Sequence, residues 1–184
     1  MGEQKNLLLK SAMFYGLLLG GFWVIKYIFF ILGTMYPVAN YAYSVLTPLT
    51  LIFAYIFTKV YKILIGGKMS FAHAWQFGIL LYFFAALIVC LVHYIFYAYI
   101  ASPEYMEEMA TQATNMVKSM NLSEEMQNSI IEQMPDLTPI KMTVQGIMNN
   151  VFYGIIFSIP VAALVFRKDL SGLIQQNQQK EQQQ

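Results

Sequence analysis

Lys26 is the one formally charged side chain inside a long apolar core stretch of this 184-residue chain. Holding a charge away from water is costly, so an ionisable group in such a position is read first as part of a ligand, proton or ion site. Other polar side chains reckon to the same depth. Lys26 lies seven residues before Gly33, His93 seven before Ile100, Thr50 seven after Tyr43, and Asn150 eight after Met142. At about 1.5 Å of rise per helical residue, they share a level roughly 11 Å inside one border. A neutral His93 could accept a hydrogen bond from Lys26, with Thr50 or Asn150 completing the shell. Such an intramembrane polar layer could bind a ligand, a proton or a headgroup. In the plainer reading Lys26 snorkels to the border and the others tie helices together.

Little else in the chain offers reactive chemistry. No Asp or Glu lies between Gln4 and Pro103, so the carboxylate relay of many pumps is missing. There is no glycine-rich phosphate loop, no H-E-x-x-H and no G-x-S-x-G. His73 and His93 stand twenty residues apart on one helix. That is about 30 Å of rise, too far to share a metal ion. Cys90 is the single cysteine, which excludes an internal disulfide and a multi-cysteine metal site. Its apolar surroundings predict an inert thiol. The chain is therefore expected to be no enzyme, with no catalytic residues, no cofactor and no metal site.

Methionine is the other unusual resource. Seven of the twelve methionines fall between Met106 and Met142. Thioether sulfurs could capture copper(I), but no His or Cys reinforces them. Met106, Met109, Met116 and Met120 recur at helical spacing, which is what an adaptable packing or docking face needs. They are the expected docking face for a protein partner.

The elements that must position these residues follow from composition. Hydrophobic residues make up 58% of the chain and charged residues 11%, against about 45–50% and about 25% in soluble domains. This argues against a water-soluble globular domain, and a net charge of +1 argues against a basic nucleic-acid binder. A bilayer core needs about 20 apolar helical residues to cross it. Four such spans are expected, at about 12–33, 43–64 (interrupted by Pro48), 72–100 and 142–166. The runs are continuous and too long for barrel strands. The first is long for a signal core and reads as a retained helix.

Eight of the eleven Lys and Arg sit in the N-terminal segment, the connection between the second and third spans, and the C-terminal tail, against three acids. Residues 101–141 hold two cations and seven acids. By the positive-inside rule, both termini are expected in the cytoplasm and the acidic insert outside. Within the insert, Ser102-Pro103-Glu104 and Ser123-Glu124-Glu125 read as helix starts. Residues 102–139 are thus expected as an extracytoplasmic helical hairpin. Residues 1–170 are read as one membrane domain, and the glutamine-rich stretch 171–184 as a disordered cytoplasmic tail.

Small residues mark helix contacts in lipid. Gly16 and Gly20 form a G-x-x-x-G in the first span, and Gly146, Asn150, Gly154, Ser158 and Ala162 recur every four residues in the last. The stripe predicts close packing, either within the chain or between copies in a homo-oligomer.

The sequence resembles the bacterial membrane proteins grouped as domain of unknown function family 4199. The residues that carry the likeness are the basic Lys68-Met-Ser-Phe-Ala-His-Ala-Trp75 opening of the third span and its close in Ile100-Ala-Ser-Pro-Glu-Tyr105. An acidic, Met-rich insert and a glycine-bearing last span ending in Arg167-Lys168 follow, and the likeness runs from Lys10 to Lys168. It implies a small integral membrane protein of bacteria and supplies no activity; the expected location is the bacterial inner membrane. The fold expected is an all-α bundle of four transmembrane helices with the helical hairpin between the third and fourth. The first functional expectation is a non-enzymatic docking module using the methionine face, and the alternative is a small transporter or permease component using the layer around Lys26. A cavity reaching Lys26 or Asn150 would favour the alternative.

Overall fold

In a computed structural model, residues 2–33, 36–132 and 138–167 are described, with side chains from Asn6 onward. Six α-helices occur among them: α1 (Gly2–Gly33), α2 (Pro37–Leu64), α3 (Phe71–Ile95), α4 (Pro103–Ser119), α5 (Glu124–Glu132) and α6 (Pro139–Phe166). No strand occurs among the described residues. Met134 and the expected tail at 171–184 lie outside them.

Four helical stretches are long and apolar enough to cross a bilayer: Asn6–Gly33, Pro37–Leu64, Phe71–Ile100 and Pro139–Phe166. At most a third of each stretch is buried within the protein, so their outward faces are apolar. Water would not tolerate so much contiguous apolar surface. This is a multi-pass membrane protein.

The helices begin earlier than the apolar runs suggest. α2 starts at Pro37 rather than near Tyr43, and α6 at Pro139 rather than near Met142. Each proline occupies the first turn, where its missing N–H costs nothing. Tyr36, before Pro37, is extended (φ −127°, ψ 102°), as a pre-proline residue must be. Pro48 does not interrupt α2, which runs through it. It lies on an exposed face and withdraws a single backbone donor, which a membrane helix tolerates. α2 ends where Gly66 (φ 97°) and Gly67 (φ 83°) enter the left-handed region. Their amides bond the Ile63 and Lys62 carbonyls at 3.1 and 2.9 Å.

Two compact units are present. In the unit of residues 1–89 and 147–184, α1 and α2 run antiparallel. The Asn40 amide donates to the Gly33 carbonyl at 3.2 Å, and the Phe30 and Tyr43 rings lie 5.5 Å apart. The Trp23 indole donates to Thr50 Oγ1 at 3.2 Å. Ten residues back along α1 thus match ten forward along α2. α3 packs parallel to α1 and antiparallel to α6. A methyl group on Gly16 would stand 2.5 Å from Phe84 Cβ, and one on Gly20 2.7 Å from Ile88 Cβ. On α6, Gly154 abuts Tyr82, and Ser158 Cβ fills the space a side chain on Gly78 would need. The small-residue stripes of both flanking helices therefore address α3 of the same chain.

In the unit of residues 90–146, α3 closes in a π-helical turn, Phe96–Ile100, sealed by the Ala101 amide on the Phe96 carbonyl at 2.8 Å. Ser102 caps α4, accepting from the Tyr105 amide at 3.2 Å. The Gln127 amide of α5 donates to the Met120 and Leu122 carbonyls, both at 3.1 Å, and so ties down the turn between α4 and α5. Nothing in the sequence pattern had singled out Gln127.

Candidate functional site

The register of the helices brings three polar residues to one level. Stepping back from Trp23–Thr50 along the α1–α2 pairing sets Lys26 opposite Thr47. α2 and α6 run parallel and meet near their C-terminal ends, where Lys62 Nζ donates to the Val165 carbonyl at 2.8 Å and the Phe166 carbonyl at 3.2 Å. Carried back along both helices, that offset sets Asn150 level with Thr47.

Between them lies a cavity of about 590 Å³. α1 contributes Trp23 and Lys26, and α2 contributes Tyr43, Thr47, Pro48, Thr50 and Leu51. α3 contributes Tyr82, and α6 contributes Asn150, Tyr153 and Phe157. The volume falls in the range of small-molecule sites, about 300–1,000 Å³.

The ammonium of Lys26 rests against aromatic faces, 5.1 Å from the Tyr43 ring centroid and 5.7 Å from that of Trp23. Such cation–π contacts gain strength where water is scarce. No carboxylate exists on α1, α2 or α3 beyond Glu3 to answer its charge. Thr50 is buried and holds the Trp23 indole. Tyr82 is only 2% exposed, and its hydroxyl finds no hydrogen-bond partner among the described residues. Buried polar groups are normally paired, so this hydroxyl, shut off from the cavity space, is a notable exception. Thr47 turns its own hydroxyl back to the Tyr43 carbonyl at 2.9 Å.

Of the four residues reckoned to one depth, Lys26, Thr50 and Asn150 line this cavity and His93 is not among its lining residues. His93 stands over Gly146, where a methyl group would come 2.9 Å from its Nδ1, and its ring lies 6.4 Å from that of Tyr97. Counting residues from a border gives height along a helix but not the direction faced. The aromatic lining was missed, although its signal is present. Trp23 and Lys26 are three apart; Tyr43, Thr47 and Thr50 are spaced four and three; Asn150, Tyr153 and Phe157 three and four. Each set shares one helix face.

The methionine face divides. Met106 and Met109 are half-buried, in register with buried Val117, whereas Met116 and Met120 are 65% and 42% exposed. A second, smaller cavity of about 350 Å³ lies beside Tyr61, Lys68, Ser70 and His73. There the Tyr61 hydroxyl and His73 Nε2 share a hydrogen bond of 2.7 Å. The Trp75 indole, on the same helix, donates to the Ile155 carbonyl at 3.1 Å. Cys90 is half-buried and forms no disulfide.

A family model described as "Protein of unknown function (DUF4199)" matches residues 14–168, and the chain belongs to that family. No curated protein and no solved structure matches it.

Proposed function

We propose that this member of the family binds a small solute or lipid inside its helix bundle, as a small transporter or permease component, and performs no catalysis. The observation that carries the reading is the cavity of about 590 Å³ reaching both Lys26 and Asn150. Protein interiors are close-packed, and unfilled volume beside a costly charge is not what helix packing alone would select. The charge distribution supports a bacterial inner-membrane placement with both termini in the cytoplasm and α4 and α5 outside. Native mass spectrometry of the full chain from mild detergent tests the reading. Wild type should retain a non-covalent adduct that is weakened or lost when Thr47→Phe and Leu51→Phe together narrow the cavity. Identical spectra for two folded proteins would remove the cavity from consideration.

A second reading is favoured by the exposure of Met116 and Met120. In it, α4 docks a protein partner through these side chains, the role expected of the methionine-lined hairpin. Met116→Glu should then release a stoichiometric partner that wild type retains.

A further inference from the structure

Resting on the reading of this cavity as a ligand site, we infer the class of its ligand: the oxyanion head of a single-chain amphiphile, entering from the bilayer between α2 and α6. The charge argument comes first. Lys26 brings an ammonium to the cavity, and no acid on the three helices before Pro103 stands near its level. The aromatic faces around it would suit a cation, but Lys26 already occupies them. A second positive charge in this low-dielectric space would be repelled. What the site lacks is a negative charge with hydrogen-bond acceptors.

The donors present fit such a group. Tyr82 lines the space, but its hydroxyl is closed off from it and supplies no donor. Asn150 lines the same space from α6. With the Lys26 ammonium, its side-chain amide supplies a neutral donor beside a charged one for carboxylate or phosphate oxygens.

The route and the tail follow from the outer wall. Leu51 on α2 and Tyr153 and Phe157 on α6 line the cavity and remain exposed, so its opening between these helices is apolar. α2 and α6 are joined at Lys62, near their C-terminal ends, and both line the cavity further back along the helices. Lys26 lies seven residues before the end of α1 at Gly33, or about 11 Å of rise. A head at that depth with its chain against Leu51 and Phe157 remains within apolar surroundings, as an amphiphile requires and a free inorganic anion does not.

The test uses the full chain with Trp75→Phe, in phosphatidylcholine nanodiscs, so that fluorescence reports Trp23. Brominated hexadecanoate should quench Trp23 saturably. Competition by hexadecanoate alone, by hexadecyl phosphate alone, or by both supports the inference and assigns the head as carboxylate, phosphate or either. Lys26→Met should weaken quenching about tenfold or more, the worth of one charge-assisted hydrogen bond, while Lys26→Arg retains most of it. Thr47→Phe with Leu51→Phe, which narrows the cavity and adds no tryptophan, should weaken the saturable quenching at an unchanged unfolding temperature, which separates occupancy from misfolding. Equal competition by hexadecanol or hexadecyltrimethylammonium overturns the anion assignment and leaves the cavity a ligand site. If no amphiphile or water-soluble quencher reaches Trp23 saturably, this inference and the ligand-site reading both fail.

Discussion

Removing the Lys62 ammonium should destabilise the bundle by an amount that can be worked out in advance. Lys62 is 1% exposed, and its Nζ donates to the Val165 and Phe166 carbonyls at 2.8 and 3.2 Å. These carbonyls close α6, where four C=O groups lack helical donors and the dipole leaves partial negative charge. Two hydrogen bonds from a charged donor contribute about 3–6 kcal/mol in gross terms. Lys62→Met keeps the length and removes the charge, so part of the desolvation cost of the buried ammonium is recovered. A net loss of roughly 2 kcal/mol follows, or about 4–8 °C in unfolding temperature for a chain of this size. The assay is thermal unfolding in detergent, read by a thiol-reactive dye on Cys90, the single cysteine. Lys59→Met serves as the control, since Lys59 is only half-buried on the preceding turn, and should shift the midpoint little. Lys62→Gln, a neutral donor, should fall between wild type and Lys62→Met. If Lys62→Met matches Lys59→Met, the ammonium does not hold α6 to α2.

Three further outcomes are expected. Gly16→Ala, which sets a methyl 2.5 Å from Phe84 Cβ, should lower stability by about 1–3 kcal/mol through overpacking. Gly21→Ala, with nothing within 4 Å, should be neutral or stabilising by up to about 1 kcal/mol through helix propensity; the same thermal assay compares them. The Glu104 carboxyl is held below the ordinary glutamate value by its backbone hydrogen bond and then by the Ser102 hydroxyl. A lowered value means its support of the first turn of α4 is complete above the free-chain value and disappears as the pH falls through the lowered one. Carboxyl NMR titration should place Glu104 below its ordinary range, and Ser102→Ala should move it upward. In a Cys90→Ala background, Gln112→Cys should react with an impermeant thiol reagent from outside the cell and Lys68→Cys only after permeabilisation, since the cations near Lys68 favour the cytoplasm.

The sequence made the spans legible because lipid imposes one strong condition. Every backbone group must be satisfied within the segment, so length and continuous apolarity reveal a crossing helix. It made the starts of α2 and α6 less legible, because their first turns carry Pro37 and Pro139 outside the apolar run. Lys62 is the clearest case of a side chain whose type misled. Among basic neighbours it reads as an interfacial cation, yet it is buried against the end of a helix that begins 77 residues later, at Pro139. No local pattern encodes that partner. The same holds for Gly78, one glycine in an apolar helix until Ser158 is seen resting on it.

The cavity itself follows from which helix each neighbour prefers. α2 is bound to α1 through the Trp23–Thr50 hydrogen bond and stacked rings, including Tyr15 and Phe57 at 5.2 Å. α6 is bound to α3 through Gly154 and Ser158, small enough for close backbone approach. α2 brings Leu51 and α6 brings Tyr153 and Phe157 to the cavity, where none of them is buried. Near their C-terminal ends the long side chain of Lys62 bridges the two. With the small residues of α6 turned toward α3, Tyr153 and Phe157 are left beside the space at the level of Lys26. Substituting Tyr153 by Ala would widen that space, whereas removing Lys26 would change its charge and leave its walls in place.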